Sequence, residues 1–276
     1  MTTDHRARVD GIVSQPLPLN SIICGDNVET LRAFPADSID LTVTSPPYDN
    51  LRTYGGHSWN FEGVAQQLWR VTKPGGVVVW VVADATVDGS ETGTSFRQAL
   101  HFMDIGFRLH DTMIYHRQGS FPMDAAKRYW QDWEYMFVLS KESPKAFHPL
   151  KEKSVRVKGS RIDGRRNVQG IPKHESADVG RVASGTKSLS NVWYVPAGSF
   201  MTDDAVFSHP AMFPEALARD HILSWSNEGD IVLDPFSGSG TTAKMAKLMG
   251  RNFIGIEVNP EYCEIAEERL RQGVLF

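Results

Sequence analysis

Ile231-Val-Leu233 runs straight into Asp234-Pro-Phe-Ser-Gly-Ser-Gly-Thr-Thr242, and this junction limits the available folds more than any other segment. A short apolar run bounded by turn residues reads as a buried strand, and residues 241–249 read as a helix. Gly238 and Gly240 allow a tight turn and let a ligand come close to the backbone. A second apolar run, Phe253-Ile-Gly-Ile256, ends at Glu257, 17 positions after Gly240. Strand, glycine turn, helix, strand and terminal carboxylate form the doubly wound arrangement that holds a nucleoside, the acid accepting hydrogen bonds from ribose hydroxyls. No Lys follows the second glycine as a phosphate loop requires. No third glycine falls at the dinucleotide spacing, so NAD is disfavoured.

The rest of the two ends alternates in the same way. Residues 39–44 form a β-rich run that stops at Ser45-Pro-Pro47. Residues 77–82 are continuously apolar, which predicts a strand buried on both faces. Helical patterns cover 61–71, 96–105 and 214–225. Together these predict an α/β fold with a doubly wound, mostly parallel sheet. The middle departs from the pattern. Residues 141–190 carry twelve Lys and Arg against five Asp and Glu, in a chain whose net charge is −4. That net charge excludes a uniformly basic nucleic-acid binder, yet the stretch holding Arg156, Lys158, Arg161, Arg165 and Arg166 suits a polyanion. Its bland alternative is a solvated loop. Cys24 and Cys263 lack metal-ligand spacing and cannot build a disulfide scaffold, so no metal is expected. The longest apolar run, 77–83, falls far short of the roughly 20 residues that span a bilayer. The first twenty residues lack an apolar signal core, and a cytoplasmic protein is expected.

The 234–242 segment resembles the S-adenosylmethionine motif of DNA amino-methyltransferases. That resemblance implies residue roles. Phe236, Gly238, Gly240 and Thr241 wall the methionine end of S-adenosyl-L-methionine, Asp234 orients the loop, and Glu257 holds the ribose. Ser237, Ser239 and Asn259 complete the cofactor-binding set, and Asp26 in Cys24-Gly-Asp26 matches an acidic position near the adenosyl moiety. Upstream, His209-Pro-Ala-Met-Phe-Pro214 resembles the family segment that closes the cofactor pocket.

Thr44-Ser-Pro-Pro-Tyr48 follows a strand and, taken alone, is a strand-terminating turn. Its two prolines fix φ and stiffen the loop, which aims the Ser45 hydroxyl and the Pro46 carbonyl at one point. An exocyclic amino group is a poor nucleophile because its lone pair is delocalised into the ring. Two acceptors for its hydrogens favour a pyramidal nitrogen, which is catalysis by positioning and electrostatics. Tyr48 would stack on a base swung out of the duplex. Ser45, Pro46, Pro47 and Tyr48 match the family's Asp/Asn/Ser-Pro-Pro-Tyr/Phe motif.

The motif order, catalytic loop, basic segment, cofactor loop, resembles the circularly permuted β group of that family. It implies an N-terminal extension over 1–19, a catalytic half over 20–140, an inserted target-recognition segment over 141–190 and a cofactor-binding half over 191–276. The expected partner is double-stranded DNA, with association with the nucleoid and a homodimer as family-level expectations. The expected activity is site-specific methylation of adenine N6 or cytosine N4. Ser at the first motif position is typical of N4-cytosine members and Asp of N6-adenine members, but either side chain can accept an amino hydrogen, so both bases stay open. The rival readings are an RNA or protein-glutamine amino-methyltransferase and a non-catalytic DNA-binding module. Asp84, at the end of the 77–83 run, is a candidate for the active-site edge, and Gly55-Gly56-His57 for a lid. His110, His116 and His221 lack metal spacing and read as structural.

Overall fold

The computed structural model describes residues 16–47, 59–118, 129, 131–154, 158–159, 184–196 and 214–272. β1 (Ser21–Cys24) passes into α1 (Asn27–Arg32), and β2 (Ile39–Thr44) follows. α2 (Phe61–Val71) runs directly into β3 (Thr72–Val82). A small hairpin, β4 (Thr86–Val87) and β5 (Ser90–Glu91), precedes α3 (Thr94–Asp104). Next come β6 (Arg108–Gln118), β7 (Trp133–Ser140), β8 (Lys151–Lys153), β9 (Thr186–Ser188) and β10 (Val192–Pro196). The last stretch is α4 (Glu215–Trp225), β11 (Ile231–Asp234), α5 (Thr241–Leu248), β12 (Asn252–Glu257) and α6 (Pro260–Arg271).

Among the described residues eight strands form one sheet, in the order β1-β12-β11-β2-β3-β7-β6-β10. Counted from β11 and wrapping from α6 back to β1, the first five read 3-2-1-4-5, the doubly wound order. The fold is therefore a circularly permuted α/β sheet. Within it β7 runs antiparallel to β3 and β6, and the other pairings are parallel. β7 ends at Ser140 and β10 starts at Val192; β8 and β9 pair between them as an exposed ribbon.

β3 shows why the sheet sits where it does. Its alternation sends Val77, Val79 and Val81 toward Leu217 and Ile222 of α4 and Ala246 of α5. Val78, Trp80 and Val82 face Leu31 of α1, Leu68 of α2 and Phe102 of α3. Each such side chain contributes about 1.5–3 kcal/mol when fully buried, so both helix layers are held by one strand. The strand begins earlier than the apolar run, at Thr72. Lys73-Pro-Gly-Gly76, which precedes the apolar run, lies inside it at a register shift between Ile39 and Leu41 of β2. A Cβ at Gly76 would meet Asp40 O and Lys73 O at 2.9 Å, so only glycine fits there. No helix among the described residues is long and apolar enough to cross a membrane.

His221 of α4 is fully buried between layers. Its ring lies 4.5 Å from that of Trp193, Nε2 is 3.2 Å from Met136 Sδ, and Nδ1 has no partner among the described residues. Burial pushes its pKa down to about 3, so the folded protein holds a neutral ring. The unfolded chain takes up a proton near pH 6.5 and the folded chain does not, so stability is lost as the pH falls below that value. In urea titrations, His221→Leu should remove this loss. Between about pH 7.5 and pH 5 the wild type should lose about 2 kcal/mol more than the variant; equal losses would show that His221 does not titrate with unfolding.

Candidate active site

The strand order reverses between β11 and β2, which pair in parallel with Val232 opposite Leu41 and Leu233 opposite Thr42. Their carboxyl ends are therefore neighbours. Thr44 Oγ1 donates to Asp234 Oδ1 at 2.6 Å, across 190 positions of sequence. Thr242 Oγ1, from the first turn of α5, donates to Val43 O at 3.2 Å. Ser45 follows Thr44 directly and is half-buried, as is Pro47, while Pro46 is buried. The proline loop and the glycine loop thus leave the sheet side by side. Ligands of open α/β sheets gather at such a reversal.

Asp234 holds this junction. The same Oδ1 accepts the Phe236 N–H at 3.0 Å. Burial pushes its pKa up to about 6, against the hydrogen bonds from Thr44 and the Phe236 N–H and the nearby Thr242 hydroxyl, which lower it; the Glu257 charge adds to the rise. Asn27 Nδ2 of α1 donates to Pro235 O at 3.1 Å. The Phe236 ring stands edge-on to Trp59, 4.9 Å between centroids, and to Trp80 at 6.1 Å.

The glycine turn is built as its residues require. Gly238 and Gly240 have φ of 50° and 79°, the left-handed region. A Cβ on Gly240 would lie 2.8 Å from Ala266 Cβ of α6. Ser237 is buried, and its hydroxyl has no partner among the described residues. Glu257 closes the turn: Oε2 accepts the Gly238 N–H at 2.8 Å and Oε1 accepts the Asn259 N–H at 2.9 Å. Asn259 caps α6 through the Glu261 N–H. Asp26 stands at the end of the neighbouring strand, where Cys24 pairs with Glu257, and caps α1 through the Glu29 N–H at 2.9 Å.

All ten residues assigned to the cofactor from sequence lie around this one edge of the sheet: Asp26 and Asn259 at helix caps, Asp234 and Glu257 at strand ends, Phe236 through Gly240 in the turn, and Thr241 at the start of α5. Tyr48, residues 55–57 and 209–213, and Arg156, Arg161, Arg165 and Arg166 lie outside the described residues. Lys158 is exposed. Asp84 sits at the expected edge but is already engaged: it accepts the Ser95 N–H at 2.9 Å and the Ser95 hydroxyl at 2.5 Å, which serves the start of α3. Among the described residues no group of three His, Cys, Asp or Glu is placed to hold a metal ion.

Two supports are absent from the sequence reading. Thr44 reads there only as a flanking residue, yet it makes the bond between the loops. Arg269 is 5% exposed, and its guanidinium reaches the turn at Ser239 and Thr241. A signal for it exists: Cys263, Ala266 and Arg269 share one buried helical face, so an arginine occupies an apolar position.

Residues 39–268 match the model of the DNA methylase family, N6_N4_Mtase. The chain is 52% identical over 248 residues to the orphan methyltransferase M.BamHII of Bacillus amyloliquefaciens, covering 86% of this chain and 91% of that protein. It is 31% identical over 267 residues to the DNA adenine methyltransferase YhdJ of Escherichia coli (strain K12), covering 91% and 82%. The structure of TTHA0409 from Thermus thermophilus, complexed with S-adenosyl-L-methionine, matches with a TM-score of 0.62 at 26% identity, over 92% of this chain and 94% of that one. The cytosine-N4-specific PvuII DNA methyltransferase shares the fold, with a TM-score of 0.66 at 23% identity, over 90% and 85%.

Thr44→Val tests the junction. Folding raises the Asp234 pKa, so its protonated form favours the fold below the ordinary carboxylate range, and that contribution is lost as the pH rises through about 6. Removing the Thr44 donor should raise the pKa further and cost about 2 kcal/mol at neutral pH, where the acid is ionised. The cost should shrink near pH 5. A cost independent of pH, measured by urea denaturation, would show that the bond does not serve the carboxylate.

Proposed function

The chain belongs to the DNA methylase family of N6-adenine and N4-cytosine methyltransferases, and from that premise we propose how its site works. It transfers a methyl group from S-adenosyl-L-methionine to the exocyclic amino nitrogen of a base, adenine N6 or cytosine N4, swung out of double-stranded DNA. The observation that carries this reading is the junction of the two loops through Thr44 and Asp234.

The donor and acceptor set suits the cofactor. Glu257 uses one N–H bond on each oxygen, which leaves lone pairs for ribose hydroxyls. Asp26, one strand over, offers a second carboxylate toward the adenosyl end. Phe236, the turn from Ser237 to Gly240 and Thr241 face the methionine end, with Asn259 fixing Glu257. When bound, the cofactor supplies a methyl group on a positively charged sulfur. The protein's part is positional. The Ser45 hydroxyl and the Pro46 carbonyl accept the two amino hydrogens and turn the nitrogen lone pair toward the methyl donor, and Pro47 keeps the loop stiff. Tyr48 stacks on the base. The segment 141–190, with Arg156, Lys158, Arg161, Arg165 and Arg166, contacts the DNA backbone and carries target recognition.

Mass spectrometry of nucleosides from DNA treated with the purified protein tests the activity. It should reveal N6-methyladenine or N4-methylcytosine and so name the base; neither product would end the reading. Tyr48→Ala should lose turnover far more than DNA binding, and full turnover would remove the stacking role. Gly238→Val places a β-branched residue at a left-handed φ of 50° and should abolish cofactor binding in calorimetry; unchanged affinity would contradict the assignment.

A further inference from the structure

Arg269 stands in the last turn of α6, and its guanidinium spans three segments. Nη1 donates to Ser239 O at 2.6 Å, Ser239 Oγ at 3.0 Å and Thr241 Oγ1 at 3.2 Å. Nη2 donates to Glu215 Oε1 at 2.8 Å, and Lys244 Nζ donates to the same oxygen at 2.9 Å. One turn earlier, Ala266 is pressed against Gly240. α6 therefore grips the glycine turn at its second half, and Glu215 ties that grip to the first turn of α4.

Burying a guanidinium costs desolvation, and an apolar side chain at this position would pack α6 without that cost. What an apolar side chain cannot do is donate to the turn. A turn with two left-handed glycines is otherwise free to take several shapes, and ordering it on ligand binding costs conformational entropy. We propose that Arg269 is a positioning residue for the cofactor: by holding Ser239 and Thr241 it fixes the turn, before binding, in the shape that receives the methionine end of S-adenosyl-L-methionine. This rests on the cofactor reading above. Arg269 makes no contact with the reacting atoms in this role; it acts through Ser239 and Thr241.

Arg251 supplies the control. It too is buried, and it donates to Ser226 O and Oγ and to Met249 O, but at the opposite strand edge, just before β12. Calorimetric titration with S-adenosyl-L-methionine, without DNA, would be run on the wild type, Arg269→Lys, Glu215→Gln and Arg251→Lys, with melting temperatures in parallel. Arg269→Lys should raise the Kd about tenfold and Glu215→Gln about threefold, with turnover at saturating cofactor close to wild type. Arg251→Lys should lower the melting temperature and leave the Kd unchanged. Wild-type Kd values in folded Arg269→Lys and Glu215→Gln overturn the proposal. So does an equal rise in Arg251→Lys, which would mean that any buried arginine matters through stability alone. Should Arg269→Lys fail to fold, Glu215→Gln decides. A wild type that binds no cofactor would instead sink the cofactor reading, a separate outcome.

Discussion

The hydrogen bond from Thr44 to Asp234 joins the ends of two strands that the chain makes far apart. Its surroundings explain its weight. Asp234 is a carboxylate placed where two apolar strands meet, and burial resists its charge. The donors around it offset that cost only while both loops keep their positions. The polar junction thus penalises every arrangement in which β2 and β11 pair out of register, because each would leave a buried acid without its donors. From it follow the exit points of Ser45 on one side and of the glycine turn on the other.

Around that junction the turn is braced from separate directions. α1 reaches Pro235 through Asn27, the aromatic side chains of Trp59 and Trp80 stand against Phe236, and α6 reaches Ser239 and Thr241. Glu257 closes the far side from β12. Helices on both faces of the sheet thereby contribute to one loop. A site used for positioning needs this, because its contribution to rate depends on small displacements.

The legible parts of the fold were those whose signal is local. The expected strands at 39–44 and 231–233 and the helix at 61–71 match β2, β11 and α2, since period and turn residues mark them. β7 escaped because nothing in Trp133–Ser140 says that it inserts antiparallel between β3 and β6; that is fixed by partners, not by its own pattern. The start of β3 at Thr72 was not legible because Pro and Gly usually end strands, whereas here the close approach of Asp40 O and Lys73 O demands glycine inside one. The site divides in the same way. Gly238, Gly240 and Glu257 are legible because glycine and strand-end acids carry a spacing. Arg269 is not, because its role depends on where α6 lands.

The permuted strand order also shapes how the protein is made. β2 takes its second neighbour, β11, only after about 190 further residues have been added, and β1 waits still longer for β12 to pair with it. At roughly 5–20 residues per second, that interval is about 10–40 s. Throughout it, the N-terminal strands of a nascent chain present bare backbone donors and acceptors to any other chain on the same messenger. The waiting strands make the period of synthesis a stretch of exposure that the finished molecule's contacts do not record.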